Sequence, residues 1–224
     1  RGEQEEGVTP HLTCILTFSR YGSRISGMRP RRCDNCHGPL PVLARSDARF
    51  CSTRCRVAAH RVQSGGATAI PAELRRRDRW VRHRAKRPIQ TDGRPATSTD
   101  PETWASWDAV RSSRVGDGFG FVLDGDGIAC VDLDHCLDER GRLEPWAAPL
   151  LERLPATYIE VSPSGRGLHI WGTGELQRGR RLMVDGGMVE LYGRGRYMTV
   201  TGRRFRSAPS RLGDLSSTLA SLMA

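Results

Sequence analysis

The run Gly127-Ile128-Ala129-Cys130-Val131-Asp132-Leu133-Asp134-His135 is apolar for its first half and then alternates carboxylate with aliphatic. It reads as the end of a buried strand. Side chains alternate across a strand, so Asp132 and Asp134 project to one face while Val131 and Leu133 project to the other. Two carboxylates this close in a half-buried site repel one another and tend to retain a proton. A divalent cation removes that cost, and hard oxygen ligands of this kind suit Mg²⁺ or Mn²⁺. An Asp-x-Asp pair alone also describes solvated carboxylates at a loop edge, or a cap on the next helix. The residues downstream decide between these readings.

From residue 118 the pattern is a succession of short strands. Residues 119–123 and 127–134 are expected to pair through the turn at Asp124-Gly125-Asp126-Gly127. Residues 145–154 carry Trp146, Leu150, Leu151 and Leu154 at helical spacing, the mark of a helix packed on a core. Strands are expected at 157–161, 168–171, 181–184, 188–192 and 197–201. Upstream, Trp80 and Val81 begin the first strand of this domain. Ser98 or Thr99 is expected to cap a short helix over residues 100–107, with Pro101 at its first position.

Two further groups share the domain with Asp132 and Asp134. The loop Ser162-Pro163-Ser164-Gly165-Arg166-Gly167 joins two strands, and its backbone N–H groups and hydroxyls can cradle phosphate oxygens. Arg166 adds a fixed charge, and His169 opens the following strand; a glycine-rich hairpin with a chance histidine is the plainer account of the same residues. Glu190 stands alone among apolar neighbours in Met188-Val189-Glu190-Leu191-Tyr192, a costly placement unless a cation meets it. Carboxylates from two strands beside a phosphate-binding loop are the components of two-metal phosphoryl transfer. The net charge of +10, from 35 Lys and Arg against 25 Asp and Glu, suits a polyanionic partner.

The cysteines describe a second unit. Four of the seven fall as Cys33-x2-Cys36 and Cys51-x3-Cys55, the spacing of two knuckles on one tetrahedral Zn²⁺. Ser52 is placed to cap a helix over residues 54–59. A module this small has little core without its metal, so zinc binding and folding should be coupled. Residues 29–64 carry eight Arg and two Asp, which suits docking on nucleic acid and equally a solvated basic helix. This usage of cysteine favours a reducing cytoplasm over a disulfide framework. Residues 11–18 are too short and polar to span a bilayer. The expected organisation is a disordered or non-native segment at 1–28, a four-cysteine zinc module at 29–64 and a linker at 65–71. A catalytic domain at 72–208 and a C-terminal helix or tail at 209–224 complete it.

Three stretches taken together carry a resemblance. They are Val131-Asp132-Leu133-Asp134-His135-Cys136, the run from Glu160 through Ser162, Gly165 and His169 to Ile170, and Val189-Glu190-Leu191-Tyr192 followed by residues 195–202. In this order they resemble the bifunctional DNA primase/polymerase domains of the archaeo-eukaryotic primase superfamily, and the likeness covers roughly residues 72–205. The N-terminal unit looks like a small treble-clef or zinc-ribbon module. The resemblance implies an α+β fold with an RRM-like core and a small α/β subdomain. It implies two catalytic Mg²⁺ or Mn²⁺ ions on Asp132, Asp134 and Glu190. It implies contact of His169 with the nucleotide triphosphate, helped by Ser162, Ser164, Gly165, Arg166 and Gly167, with Arg196 as a second phosphate contact. Lys86, Arg87 and the stretch from Ser98 to Trp104 are expected at substrate or template. Implied partners are single-stranded DNA template, primer, nucleoside triphosphates and a separately encoded helicase, in the replication of a phage, plasmid or integrated element. Two rival readings are a catalytically idle nucleic-acid-binding protein with a zinc finger, and a two-metal nuclease using the same acids.

Overall fold

The computed structural model describes residues 31–33, 38–56 and 69–224. The expected segment 1–28, Cys36, the later part of the helix after Ser52, and residues 65–68 of the linker lie outside the described residues. Within them the chain is α+β: short helices, a four-stranded sheet and a six-stranded sheet.

The smaller sheet holds β1 (Trp80–Arg84), β2 (Arg87–Ile89), β3 (Gly118–Asp124) and β9 (Arg194–Val200) in the order β2-β1-β3-β9, all antiparallel. A two-residue turn joins β1 to β2, with Ala85 and Lys86 both left-handed at φ 47° and 64°. That geometry usually falls to Asn-Gly, and a side chain there costs about 1 kcal/mol per residue. The Ala85 N–H donates to Asp117 Oδ2 at 2.8 Å, which holds the turn in place.

The larger sheet holds β4 (Ile128–Asp134), β5 (Tyr158–Val161), β6 (Leu168–Thr173), β7 (Arg180–Val184), β8 (Gly187–Tyr192) and β10 (Gly213–Asp214). Its order is β10-β6-β4-β8-β7, with β5 also on β6, and only the β10–β6 pair is parallel. β3 and β4 therefore do not pair with each other, contrary to the hairpin expected at residues 124–127. The turn instead carries the chain from one sheet to the other. Asp126 in that turn is tied to Arg77 and Arg79 at 2.9 and 2.7 Å, and the Gly125 N–H donates to Gly193 O at 2.9 Å. Each strand then finds two partners in its own sheet, which a local hairpin would have blocked.

Strand alternation divides the core into two layers. Ile128 and Cys130 on β4, Trp171 on β6 and Tyr158 on β5 face the smaller sheet and pack with Trp80, Phe121, Met198 and Val200. Trp80 meets Trp107 and Phe121 with ring centroids 4.6 and 5.1 Å apart, and Phe121 meets Trp171 edge-on at 5.9 Å. On the other face Val131, Leu133, Leu168, Ile170, Val189 and Leu191 pack beneath the helices and C-terminal segment. Among the described residues, the buried clusters packed on the two sheets run from Ile70, within the expected linker, to Leu219.

The helices are shorter than the sequence pattern suggests. α1 (Ala72–Arg75) precedes β1, and α2 (Trp107–Ser112) is capped by Ser106, whose hydroxyl accepts from the Ala109 N–H at 3.3 Å. Residues 101–103 form a single 3₁₀ turn capped by Asp100, rather than a helix capped by Ser98 or Thr99. α3 spans only Ala148–Glu152, with Pro149 in its first turn, where a missing N–H is harmless. Leu150 is buried as expected, and Trp146 lies on Gly187, where a Cβ would stand 2.2 Å from the indole. α4 (Ser216–Met223) closes the chain with Leu219 in the core. No helix among the described residues is long and apolar enough to cross a membrane.

Candidate active site

The site lies where the two sheets stop covering each other. Along one face of β4, Ile128 and Cys130 are sealed under the smaller sheet; two and four residues further on, Asp132 and Asp134 emerge into a cleft. The cleft holds about 630 Å³. Asp132, Asp134, Ser162 and His169 line it from the larger sheet, and Lys86, Ser98, Arg196, Tyr197 and Thr199 line it from the other side.

Register places five ionisable residues in one row across five adjacent strands. Glu160 on β5 stands opposite His169 on β6, which stands opposite Asp132 on β4. Asp132 in turn stands opposite Glu190 on β8, and Glu190 opposite Arg181 on β7. With His169 protonated, neighbours in the row alternate in sign with one exception, the adjacent carboxylates Asp132 and Glu190. Like charges directly opposite on a sheet are destabilising.

The contacts along the row differ from end to end. His169 Nδ1 lies 3.3 Å from Glu160 Oε1, and its Nε2 lies 3.8 Å from Asp132 Oδ1. Burial alone would lower the His169 pKa, but the Glu160 hydrogen bond and the charges of Asp132 and Glu160 raise it above its ordinary value. Burial raises the Asp132 carboxyl, and Asp134 and Glu190 push it further in the same direction against the pull of His169 and Lys86. Glu190 behaves oppositely: burial would raise it, but hydrogen bonds from Tyr192 and Arg181 bring it below the usual carboxylate range. Arg181 Nε donates to Glu190 Oε1 at 2.5 Å, and the Tyr192 hydroxyl donates to Oε2 at 2.6 Å.

Asp132, Asp134 and His169 therefore share the cleft wall, with Ser162 and Ser164 beside them. Glu190 adjoins Asp132, but its oxygens turn to Arg181 and Tyr192. The three acids do not close to the 4.8 Å mutual spacing that, among the described residues, only the sulfurs of Cys33, Cys51 and Cys55 reach. The serine–glycine loop is wound on itself. Its Gly165, Arg166 and Gly167 N–H groups donate to Ser162 O, Ser164 Oγ and Ser162 Oγ at 3.0, 3.2 and 3.2 Å. Gly167 is also held for want of space, since a Cβ would stand 2.8 Å from Leu133 O. Arg166 is exposed outside the cleft lining. Arg196 lines the cleft with its guanidinium 4.6 Å over the Tyr192 ring.

Lys86 and Ser98 stand on the cleft wall, and the Ser98 hydroxyl donates to Gly195 O at 2.9 Å. Three participants escaped the sequence reading: Glu160, Arg181 and Tyr192. For Glu160 a signal existed, because a lone acid among Tyr158, Ile159 and Val161 is the same anomaly that marked Glu190. Arg181 gave none, since its role depends on register.

In the cysteine module, Cys33, Cys51 and Cys55 could together hold a metal ion, with the Cys51 and Cys55 sulfurs 3.5 Å apart. The Ser52 hydroxyl accepts from the Cys55 N–H at 3.2 Å, the expected cap. Arg49 pairs with Asp117 at 3.6 Å, joining the module to the base of the β1–β2 turn.

Residues 57–213 match the family described as bifunctional DNA primase/polymerase, N-terminal. A DNA primase-polymerase of Nitratiruptor phage NrS-1 is 38% identical over 151 residues, which span 61% of this chain and 21% of the phage protein. The chain thus covers about a fifth of that relative's length. The family match takes in more than half of the chain and every strand of the charged row. This chain therefore belongs to the bifunctional DNA primase/polymerase family and carries its N-terminal domain.

Proposed function

We propose that the domain is a metal-dependent nucleotidyltransferase that extends a 3′-hydroxyl on a DNA template, serving the replication of a phage, plasmid or integrated element. The observation that carries this reading is the break in the charged row at Asp132 and Glu190, beside Asp134 and open to a cleft of nucleotide size. A burial-raised carboxyl facing two further carboxylates is a donor set that a hard divalent cation relieves. Asp132 and Asp134 would hold Mg²⁺ or Mn²⁺ directly, and Glu190 would join by releasing Arg181. When bound, such ions lower the pKa of an attacking hydroxyl and neutralise charge on the transferring phosphoryl group.

The chain's own cations account for the rest. Lys86 and Arg196 on one wall and His169 on the other face the space a triphosphate would fill, offsetting charge on the leaving pyrophosphate. The 3′-hydroxyl oxygen bonds to the α-phosphorus, the bond from that phosphorus to the bridging oxygen breaks, and the hydroxyl proton passes to solvent. We assign Zn²⁺ to the cysteine module, with Cys36 completing Cys33, Cys51 and Cys55, in a reducing cytoplasm.

The test is nucleotide incorporation on primed single-stranded DNA in Mg²⁺ or Mn²⁺. Asp132→Asn is expected to lower the rate on the order of a hundredfold or more while DNA binding persists. Wild-type protein that binds DNA but incorporates nothing would leave the idle-binder reading. Nucleotide release without any triphosphate would favour the nuclease.

A further inference from the structure

Glu160 is fully buried, and each of its oxygens is met by donors from several elements. Its Oε2 accepts from the Tyr158 hydroxyl at 2.9 Å and from the consecutive N–H groups of Thr201 and Gly202 at 3.0 and 2.8 Å. Gly202 is left-handed at φ 67°, which lets two successive N–H groups converge on one oxygen. Its Oε1 takes Trp171 Nε1 at 3.4 Å and His169 Nδ1 at 3.3 Å. Thr201 and Gly202 follow directly on β9, which carries Arg196, Tyr197 and Thr199 into the cleft. One carboxylate therefore touches the histidine of one wall and the strand end of the other.

We propose that Glu160 is a positioning residue for the incoming nucleoside triphosphate, acting through His169. With Oε2 taken up by three donors and Oε1 by the Trp171 N–H, Glu160 serves as the acceptor, and the proton between the pair is assigned to His169 Nδ1. That leaves Nε2 directed toward Asp132 and the cleft. A ring free to rotate would turn that nitrogen, and the proton it gives to a phosphate, away from the cleft. By gripping the β9 end as well, Glu160 sets His169 and the β9 cations at a fixed separation. A phosphate chain can then meet both without reorganising the site. The inference rests on reading the cleft as a nucleotide site.

Two measurements test it. In steady-state extension, Glu160→Gln is expected to lower kcat/KM for nucleotide about tenfold, because the ring it holds meets charge that grows on the leaving pyrophosphate. His169→Gln should lose at least as much, and the double variant should lose less than the product of the two, because Glu160 acts largely through that ring. Effects that multiply in the double variant, or an unchanged kcat/KM in Glu160→Gln, overturn the proposal. The second measurement needs neither activity nor a Glu160 variant. ¹⁵N spectra of histidine-labelled wild-type protein, with His169 assigned from His169→Gln, should show a protonated, slowly exchanging Nδ1. An unprotonated Nδ1 overturns the proposal. Should wild type fail to bind nucleotide at all, the nucleotide reading falls while the spectra still decide the Glu160–His169 pairing.

Discussion

The two edges of the charged row hold the same residue type in opposite ways. At the β5 edge, Glu160 is fully buried and gripped by backbone N–H groups, an indole, a phenol and an imidazole. None of these donors can leave without opening the fold. At the β7 edge, Glu190 is held by Tyr192 and by Arg181, whose side chain is 68% exposed on the outermost strand. Arg181 can exchange Glu190 for water at little cost. A carboxylate with fixed donors organises its neighbours permanently, whereas one with a detachable partner can change partners. On the proposed reading the first is the positioning acid and the second the acid available to a cation, although both appear in the sequence as a lone Glu in an apolar strand.

The largest expected effect tests the stability side of this contrast. Glu160→Ala leaves His169, Trp171 Nε1 and two backbone N–H groups buried without their acceptor, a loss of about 3–5 kcal/mol on the scale for breaking a buried charged network. Glu190→Ala frees Arg181 into solvent and should cost a small fraction of that. Urea unfolding of the two variants beside wild type measures the gap. Equal losses would mean that the edges do not differ as their burial implies.

How much of this was legible beforehand follows from what each signal depends on. Alternation along one strand placed Asp132 and Asp134 on a common face, and the lone-acid argument found Glu190. His169 came from its position after the serine–glycine loop. The row itself depends on registers between strands such as β4 and β6, set by long-range packing that no local pattern encodes. The same limit explains the hairpin expected at residues 124–127. The Asp-Gly turn signal is real, but Arg77, Arg79 and Gly193 anchor the turn from outside, and the strands diverge into separate sheets. The loop at 162–167 has the glycine and serine content of a phosphate cradle, yet its N–H groups are spent within the loop. Composition does not reveal which donors are already taken.

The next effect concerns the detachable edge alone. If Glu190 joins a cation by giving up Arg181, then Arg181→Ala removes a competitor and should strengthen Mn²⁺ binding by up to about fivefold, the scale of an exposed ion pair. Mn²⁺ titration followed by electron paramagnetic resonance reads this without any turnover. Weaker binding in the variant would show that Arg181 holds Glu190 in the metal-ready position rather than away from it, and the two edges would then be alike in kind.

The smallest effect falls between the edges, at Asp132. Its carboxyl is raised by burial first and by Asp134 and Glu190 after it, so the folded state binds this proton more tightly than the unfolded chain does. The sign follows from linkage: stability from this group is present at pH below the unfolded carboxyl range and is lost as pH rises through the raised folded value. At neutral pH, without divalent metal, the ionised carboxylate is therefore a destabilising element. Asp132→Asn should raise the melting temperature by about 2 °C, corresponding to a fraction of a kcal/mol to 1 kcal/mol in a domain of this size. The gain should shrink as pH falls and the wild-type carboxyl takes up its proton. Added Mn²⁺ should reverse the order, stabilising wild type above the variant, since only wild type offers the carboxylate. Melting curves at neutral and acidic pH, each with and without Mn²⁺, give all four comparisons. An Asp132→Asn variant less stable than metal-free wild type at neutral pH would mean that His169 fully balances Asp132. The row would then have no uncompensated charge for a cation to meet.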